Sequence, residues 1–185
     1  MRKIIFCVTV LTGLLFVQAA QSDDIAWTYA EAYLQHVDPK QLSSDTGYHL
    51  EASFGLPLGF HALARWEKAE LGDLDGDLSG SNLGIGWHLG LGDTLMGSVE
   101  LSYTNRELGV FDENGYTVNL GVRVSPLDRW EFGGRLGYRD LERNLAGGYG
   151  EAYALWRVWG PLGLTARAEL SEEANRFGIG ARLSF

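Results

Sequence analysis

Apolar and polar residues alternate with a period of two through most of the chain after residue 20, and this pattern constrains the fold more than any other. In the stretch 115–124, for example, Tyr116, Val118 and Leu120 alternate with Thr117 and Asn119. Such a period indicates a β-strand whose two faces meet different environments. The chain is therefore predicted to be all-β. Ten segments of this kind can be counted, at 25–37, 46–56, 60–68, 81–90, 94–106, 115–124, 130–140, 149–159, 162–170 and 176–185.

The polar faces of these segments carry arginine and glutamate, whereas lysine is scarce. Only Lys40 and Lys68 follow the first twenty residues. A planar guanidinium satisfies several carboxylate acceptors at once, so arginine favours enclosed charge pairing over a solvated surface. We predict that these charges form a network in an enclosed lumen. The predicted network comprises Glu31, Glu51, Arg65, Glu67, Glu100, Arg106, Arg123, Glu131, Arg135, Arg139, Glu151, Arg157, Arg167, Glu169 and Arg182.

An enclosed charged face and an outward apolar face together predict an antiparallel transmembrane up-and-down β-barrel. Tight turns at 56–59, 90–93, 125–129 and 160–163 alternate with links that we expect to be longer and acidic. Short periplasmic turns and longer external loops are the rule for such barrels. We expect ten strands. Eight strands are the alternative, if the segments 60–68 and 162–170 are loops.

The first twenty residues have the layout of a secretory signal peptide. Arg2 and Lys3 precede an apolar run that ends near the small residues Ala19 and Ala20, so we expect cleavage after one of those two alanines. The apolar run is shorter than the roughly 20 residues that span a bilayer, although an uncleaved anchor is the alternative. A single barrel domain, 21–185, remains. Cleavage also removes Cys7, the only cysteine, so no disulfide is expected.

The chain is acidic, and its acids are concentrated in the links. The net charge is −9 and becomes −11 once the two basic residues of the signal peptide are lost. Nucleic-acid binding is not expected, because phosphate contact needs clusters of lysine and arginine. We expect divalent cations to bridge the acidic links to lipopolysaccharide phosphates. The candidate cation-bridging loop is Asp73, Asp75 and Asp77, but Leu78 replaces the turn glycine of a calcium loop, which favours a solvated acidic loop.

The histidines give little support for catalysis. His49, His61 and His88 fall on the predicted lumen face, whereas a barrel-type lipid A deacylase would need a histidine facing lipid. His36 and Asp38, placed on the first loop, are the pair that an omptin-like protease would need at its rim, but a solvated turn is the favoured interpretation. We predict a protein that is not an enzyme, with no catalytic residue, cofactor or protein-held metal.

Two short motifs resemble small OmpA/OmpX-like outer-membrane barrels. The first predicted strand contains Thr-Tyr-Ala-Glu-Ala-Tyr at 28–33, and the chain ends in alternating apolar residues with a final phenylalanine. The resemblance implies the outer membrane of a Gram-negative bacterium. It also implies that the barrel-assembly machinery recognises the last strand. The predicted assembly signal is Phe177, Ile179, Ala181, Leu183 and Phe185.

The sequence leaves the function open between several classes. The leading hypothesis is a structural or surface-interaction role in the cell envelope, with the lumen plugged by the Glu/Arg network. The alternative is a narrow porin-like channel for small solutes or ions. A barrel enzyme that acts on lipid and a soluble periplasmic sandwich or lipocalin-like carrier are more distant alternatives. Expected partners are outer-membrane lipid, lipopolysaccharide and the barrel-assembly machinery, and a monomer is expected.

Overall fold

The computed structural model describes residues 25–40, 45–70, 77–108, 111–142 and 145–185. A short 3-10 turn, Pro57–Gly59, joins the second strand to the third. In the described ranges, no helix is long and apolar enough to cross a bilayer. The strands are β1 (Tyr29–Pro39), β2 (Asp45–Gly55), β3 (Phe60–Glu70), β4 (Asp77–Gly90), β5 (Leu95–Leu108), β6 (Phe111–Leu127), β7 (Trp130–Leu141), β8 (Leu145–Trp159), β9 (Leu162–Ser171) and β10 (Ala174–Ser184).

The ten strands form one closed antiparallel barrel in which every strand pairs with its neighbours in sequence. Pairing of β1 with β10, from Tyr29 opposite Ser184 to Pro39 opposite Ala174, closes the wall. This confirms the predicted ten-stranded up-and-down barrel. The eight-stranded alternative is wrong, because the segments 60–68 and 162–170 pair along their lengths as β3 and β9.

Apolar side chains point outward and charged side chains point inward. Leu120, Leu136 and Ile179 are 63%, 70% and 71% exposed, whereas Glu31 and Arg182 are 3% and 1% exposed. A soluble protein would bury the apolar set and solvate the charges. The soluble sandwich or carrier is therefore the wrong fold, and the outer wall has the apolar character that a hydrocarbon environment requires.

Aromatic side chains gather near both rims of the apolar wall. At the end with the tight turns, the Trp130 ring stacks with the Trp156 ring at 6.2 Å, and Trp87 Nε1 donates to the Leu58 carbonyl at 3.1 Å. Tight turns mark the periplasmic end in barrels of this class. Amphipathic rings suit a membrane interface, because one edge of the ring is apolar and the other can hydrogen-bond. The opposite rim carries Tyr48, Tyr103, Tyr116 and Tyr138.

Several strands continue beyond the ends predicted for them. Glu107 and Asp112 were predicted to lie in a link, but they form a cross-strand pair in β5 and β6. Only residues 109–110 separate these two strands, and only 172–173 separate β9 from β10. The expectation of longer external loops is thus wrong at both places. Above the membrane both faces of a strand are wet, so the alternation disappears while backbone pairing continues.

The first strand begins later than predicted. It starts at Tyr29, and the preceding Ile25 and Trp27 are buried at the periplasmic mouth, at 3% and 4% exposure. Thr28 anchors this segment: its carbonyl accepts from the Phe185 amide at 2.9 Å. The alternation of Ile25 and Trp27 reflects burial in the mouth of the barrel, which has the same sequence pattern as a strand.

Candidate functional site in the barrel lumen

The fifteen charged side chains predicted to face the lumen all lie at inward-facing positions of their strands. One lumenal arginine, Arg176, was missed, although it shares the inward-facing parity of Arg182 on β10. Tyr29 and Tyr153 were missed, because tyrosine counts as apolar in a pattern. Asn119 was placed on the polar face of its segment, but its hydrogen bond to Glu100 was not predicted. Alternation alone therefore locates the lumen but underestimates what fills it.

Glu51 on β2 is the centre of the network. Its carboxylate accepts from Arg65 Nε at 3.0 Å, from Arg135 Nη2 at 3.2 Å and from Arg167 Nη1 at 3.5 Å. The Tyr29 hydroxyl donates to its other oxygen at 2.5 Å. These partners come from β3, β7, β9 and β1, so one buried carboxylate ties together walls that lie on different sides of the barrel.

Two further glutamates share the same guanidinium groups. Glu151 accepts from Arg135 Nη2 and from Arg167 Nη1, each at 2.7 Å. Glu100 accepts from Arg65 Nη2 at 2.7 Å and lies 3.8 Å from Arg135 Nη1. Arg65, Arg135 and Arg167 therefore each contact at least two carboxylates. The charges in the middle of the lumen form a connected network and not isolated ion pairs.

The network of ion pairs continues towards the periplasmic end. Glu131 accepts from Arg123 Nη2 at 2.6 Å and Arg157 Nη2 at 3.1 Å, and it lies 3.3 Å from Arg182 Nη1. Glu31 accepts from Arg182 Nε at 2.6 Å, which joins this layer to the first strand. Because Arg167 Nη2 also donates to Glu31 at 2.9 Å, the middle and periplasmic layers form one connected central network. The central network comprises Glu31, Glu51, Glu100, Glu131, Glu151, Arg65, Arg123, Arg135, Arg157, Arg167 and Arg182.

A second, smaller group lies towards the extracellular end. Glu67 contacts Arg106 Nη2 at 3.5 Å and Arg176 Nε at 3.8 Å. Arg176 also pairs with Glu169, and Arg106 Nη1 donates to Glu173 at the rim at 2.9 Å. Short pairs to Glu169 and Glu173 flank Glu67, whose own contacts are longer.

Lumenal tyrosines fit against glycines and support the arginines. The Arg182 guanidinium lies 4.9 Å from the Tyr153 ring centroid, and the Tyr153 hydroxyl donates to Glu131 at 2.7 Å. A Cβ on Gly133 would lie 2.2 Å from Tyr153 Cε1, so the ring occupies the space that a side chain would need. Glycine at this position is therefore required by the packing of the lumen.

Ring-stacking and apolar contacts lie at the two ends of the charged lumen. At the periplasmic end the Trp27 ring stacks on His88 at 4.0 Å, and the Arg123 guanidinium lies 4.6 Å from the same ring. At the extracellular end Val37, Ala69 and Ala174 form a buried apolar cluster. The most buried ion pairs, such as Arg182 with Glu31, lie between these two ends, where a low local dielectric strengthens their electrostatic attraction.

Little space is left between the lumenal side chains. One cavity in the middle of the barrel has a volume of about 30 Å³, and a second, near Gln35 and His49, has about 10 Å³. A single water needs about 10–15 Å³ measured in this way. The lumen therefore resembles a packed core and has room for isolated waters or ions.

The other sequence-derived candidates have mixed outcomes. Asp73 and Asp75 lie outside the described residues, as does the side chain of Asp77. Placing His36 and Asp38 on the first loop was wrong: both belong to β1, point outward and are exposed, because the strand extends to Pro39. In the described part of the chain, no group of three or more histidine, cysteine, aspartate or glutamate residues is arranged to hold a metal ion.

Comparison with solved structures places this architecture among outer-membrane barrels. The COG4313 outer membrane channel from Pseudomonas putida F1 superimposes with a TM-score of 0.55 at 9% identity, covering 91% of this chain and 100% of that one. The NanC porin gives 0.54 at 10% identity, covering 84% and 100%. The KdgM porin in complex with disordered oligogalacturonate gives 0.51 at 12% identity, covering 85% and 99%.

These likenesses show the fold alone, because the identities are low. They support a small outer-membrane barrel and do not single out the OmpA/OmpX-like group. No family model matches the sequence. No curated protein matches it either. The chain therefore has the fold of an outer-membrane β-barrel.

Proposed function

We propose that this protein is a closed outer-membrane barrel with a structural or surface-interaction role in the cell envelope. The coordination of Glu51 by arginines from three other strands carries this proposal. A solute could pass only if such buried pairs were separated, and leaving a buried charge without its partner costs several kcal/mol. The network therefore acts as a plug and as a brace between opposite walls.

The proposed location is the outer membrane of a Gram-negative bacterium. The layout of the first twenty residues supports export through the secretory pathway. The outward side chains of the last strand, among them Phe177 and Ile179 at 51% and 71% exposure, support recognition by the barrel-assembly machinery. The wall would be covered by lipid around its whole circumference, which is consistent with a monomer.

A narrow channel is the second candidate function. It is favoured by the polar lining of the middle of the lumen and by the solved neighbours, which include porins and a channel. Two features would have to move for conduction: the Trp27 segment at the periplasmic mouth and the Arg135 side chain in the middle of the lumen. Charged side chains of this kind would then set the selectivity of the path for ions.

Single-channel recording separates the two functions. The refolded mature protein, in a planar bilayer, is expected to show no stepwise openings, because its lumen is filled. Arg135→Ala and Arg157→Ala each remove a guanidinium from the central network and are expected to produce small openings or leak.

The matched control is Arg129→Ala, which removes an exposed arginine from the turn between β6 and β7. This variant should stay as silent as the wild type. Stable openings in the wild type, with conductance or selectivity altered by Arg135→Ala and unaltered by Arg129→Ala, would replace the closed-barrel proposal with the channel.

The acidic extracellular end supports a further proposed partner, lipopolysaccharide held through divalent cations. Exposed acids at this end include Asp38, Glu107, Asp112 and Glu142. The anionic headgroups of lipopolysaccharide would repel these carboxylates unless divalent cations lay between them. A chelator is therefore expected to lower the unfolding temperature of the barrel in lipopolysaccharide bilayers and to leave it unchanged in neutral phosphatidylcholine bilayers. Equal stability with and without chelator in both bilayers would contradict the proposal.

A further inference from the structure

Two buried histidines meet near the periplasmic end of the lumen. His61 on β3 and His88 on β4 are 1% and 8% exposed. They are 27 residues apart in sequence, and the pairing of β3 with β4 brings their Nδ1 atoms to 3.4 Å. His61 lies directly opposite Gly86, and a Cβ on Gly86 would lie 2.3 Å from His61 Nε2. The His61 ring therefore occupies a space over β4 that only a glycine leaves open, and this brings it beside His88.

The separation of the two Nδ1 atoms is long for a hydrogen bond and matches the spacing of two ligands on one metal ion. N–H···O hydrogen bonds in proteins span about 2.7–3.2 Å, so a proton shared across 3.4 Å gives only a weak contact. Zinc is bound tetrahedrally, with each histidine nitrogen at about 2.0–2.1 Å, which places two such nitrogens about 3.3–3.4 Å apart. The observed distance therefore equals one edge of a zinc coordination tetrahedron.

The neighbours of both rings favour the orientation that metal binding requires. Glu100 Oε1 lies 3.5 Å from His61 Nε2, the nitrogen that faces away from His88. A carboxylate beside one ring nitrogen favours the proton there and leaves the lone pair of the other nitrogen free, and metal-binding histidines usually have such a partner. The His88 ring is held by Trp27, whose ring lies parallel to it within 3° at a centroid distance of 4.0 Å.

The charges around the histidine pair are compatible with a divalent cation. Glu100 supplies a negative charge on the side of His61. The Arg123 guanidinium lies 4.6 Å from the centroid of the Trp27 ring, but Glu131 accepts from it at 2.6 Å and offsets its charge. A cation between the two Nδ1 atoms would therefore not meet an uncompensated arginine.

We propose that His61 and His88 bind one transition-metal ion, Zn²⁺, through their Nδ1 atoms. Imidazole suits zinc and its neighbours in the periodic table, whereas Mg²⁺ and Ca²⁺ take oxygen ligands. Water fills the other two positions of the tetrahedron, because the described residues include no metal-binding group of three or more side chains. No protein-held metal is expected from the sequence, since the two histidines have no ligand spacing and meet only through strand pairing. The ion ties β3 to β4 and does not depend on whether the lumen conducts.

Zinc itself is the probe for the site, since its anomalous scattering identifies it in a crystal. The mature barrel, refolded with one equivalent of Zn²⁺ and crystallised, is expected to show one anomalous peak at the zinc absorption edge, between His61 and His88. Zinc confined to the protein surface, or no zinc in the crystal, would overturn the proposal.

Stability gives a second readout in solution. Zinc at about 100 times its dissociation constant is expected to raise the unfolding temperature in detergent by about 5 °C. His88→Phe removes one ligand and keeps an aromatic ring against Trp27, so it should lose most of this shift. The matched control is His36→Gln, which removes an exposed histidine from the outer face of β1 and should keep the full shift.

Magnesium tests the site without any substitution, so the proposal stays testable if His88→Phe does not fold. Because Mg²⁺ takes oxygen ligands, it should leave the unfolding temperature of the wild type unchanged. An equal shift with Mg²⁺ would assign the ion to the acidic rim and overturn the proposal. An equal zinc shift in the wild type and His88→Phe, or its loss in His36→Gln, would also overturn it.

Discussion

Replacing Glu51 with glutamine is expected to lower the free energy of unfolding by about 3 kcal/mol, the lower part of the range for breaking a buried ion pair. The carboxylate is 3% exposed and accepts from three arginines, so the variant leaves those guanidinium groups short of one negative charge. Their other contacts, to Glu100 and Glu151 among them, keep the loss from being larger. Urea-induced unfolding of the refolded protein in lipid vesicles measures the change.

Glu172→Gln is the matched control, because Glu172 is exposed in the short link between β9 and β10. Its effect should stay within about 0.5 kcal/mol, as for most exposed positions. If Glu51→Gln were as stable as Glu172→Gln, the central network would contribute nothing to stability, and the closed-barrel proposal would lose its main support.

Replacing Phe185 with alanine is expected to remove most of the protein from the outer membrane of cells that express it, while the purified variant still refolds in detergent. The reason is that the side chain points outward and leaves the lumen contacts intact, so its proposed contribution is to recognition during assembly. Surface labelling and heat-dependent gel migration of outer-membrane fractions measure the amount of assembled barrel.

Phe132→Ala tests whether any outward phenylalanine would have this effect. Phe132 and Phe185 are both 41% exposed, but Phe132 lies on β7, far from the end of the chain. The Phe132 variant should assemble at near wild-type levels. Equal assembly of both variants would contradict the proposed terminal signal, whereas a failure of Phe185→Ala to refold in detergent would give the residue a structural role.

The wall of the barrel could be predicted from the sequence because a strand with two environments repeats every second residue. This is why the sequence alone identifies inward positions such as Glu51 and Arg167. The alternation fails where the environment no longer differs between the two faces. The alternation does not identify the extracellular part of β6, where water contacts both faces. It also wrongly predicts that β1 begins at Ile25, which is buried but lies outside the sheet.

Partner choice inside the lumen could not be predicted for a different reason. Arg167 reaches Glu31 across 136 residues of sequence, and Arg135 reaches Glu51 across 84. These meetings depend on the stagger between neighbouring strands and on the number of strands that close the wall. A pattern within one strand contains neither quantity. The sequence therefore identifies the charges but leaves their pairing to the three-dimensional structure.

The pairing of Arg182 with Glu31 has a consequence for how the chain becomes a barrel. These residues are 151 positions apart, on the last and first strands, and they meet only when the sheet closes. Contacts between such distant parts of a chain form late, because the intervening loop must first be ordered. Until that moment the half-formed sheet presents bare guanidinium and carboxylate groups, which must remain hydrated. We therefore expect the seam to close and this water to leave together, at the last step of barrel formation.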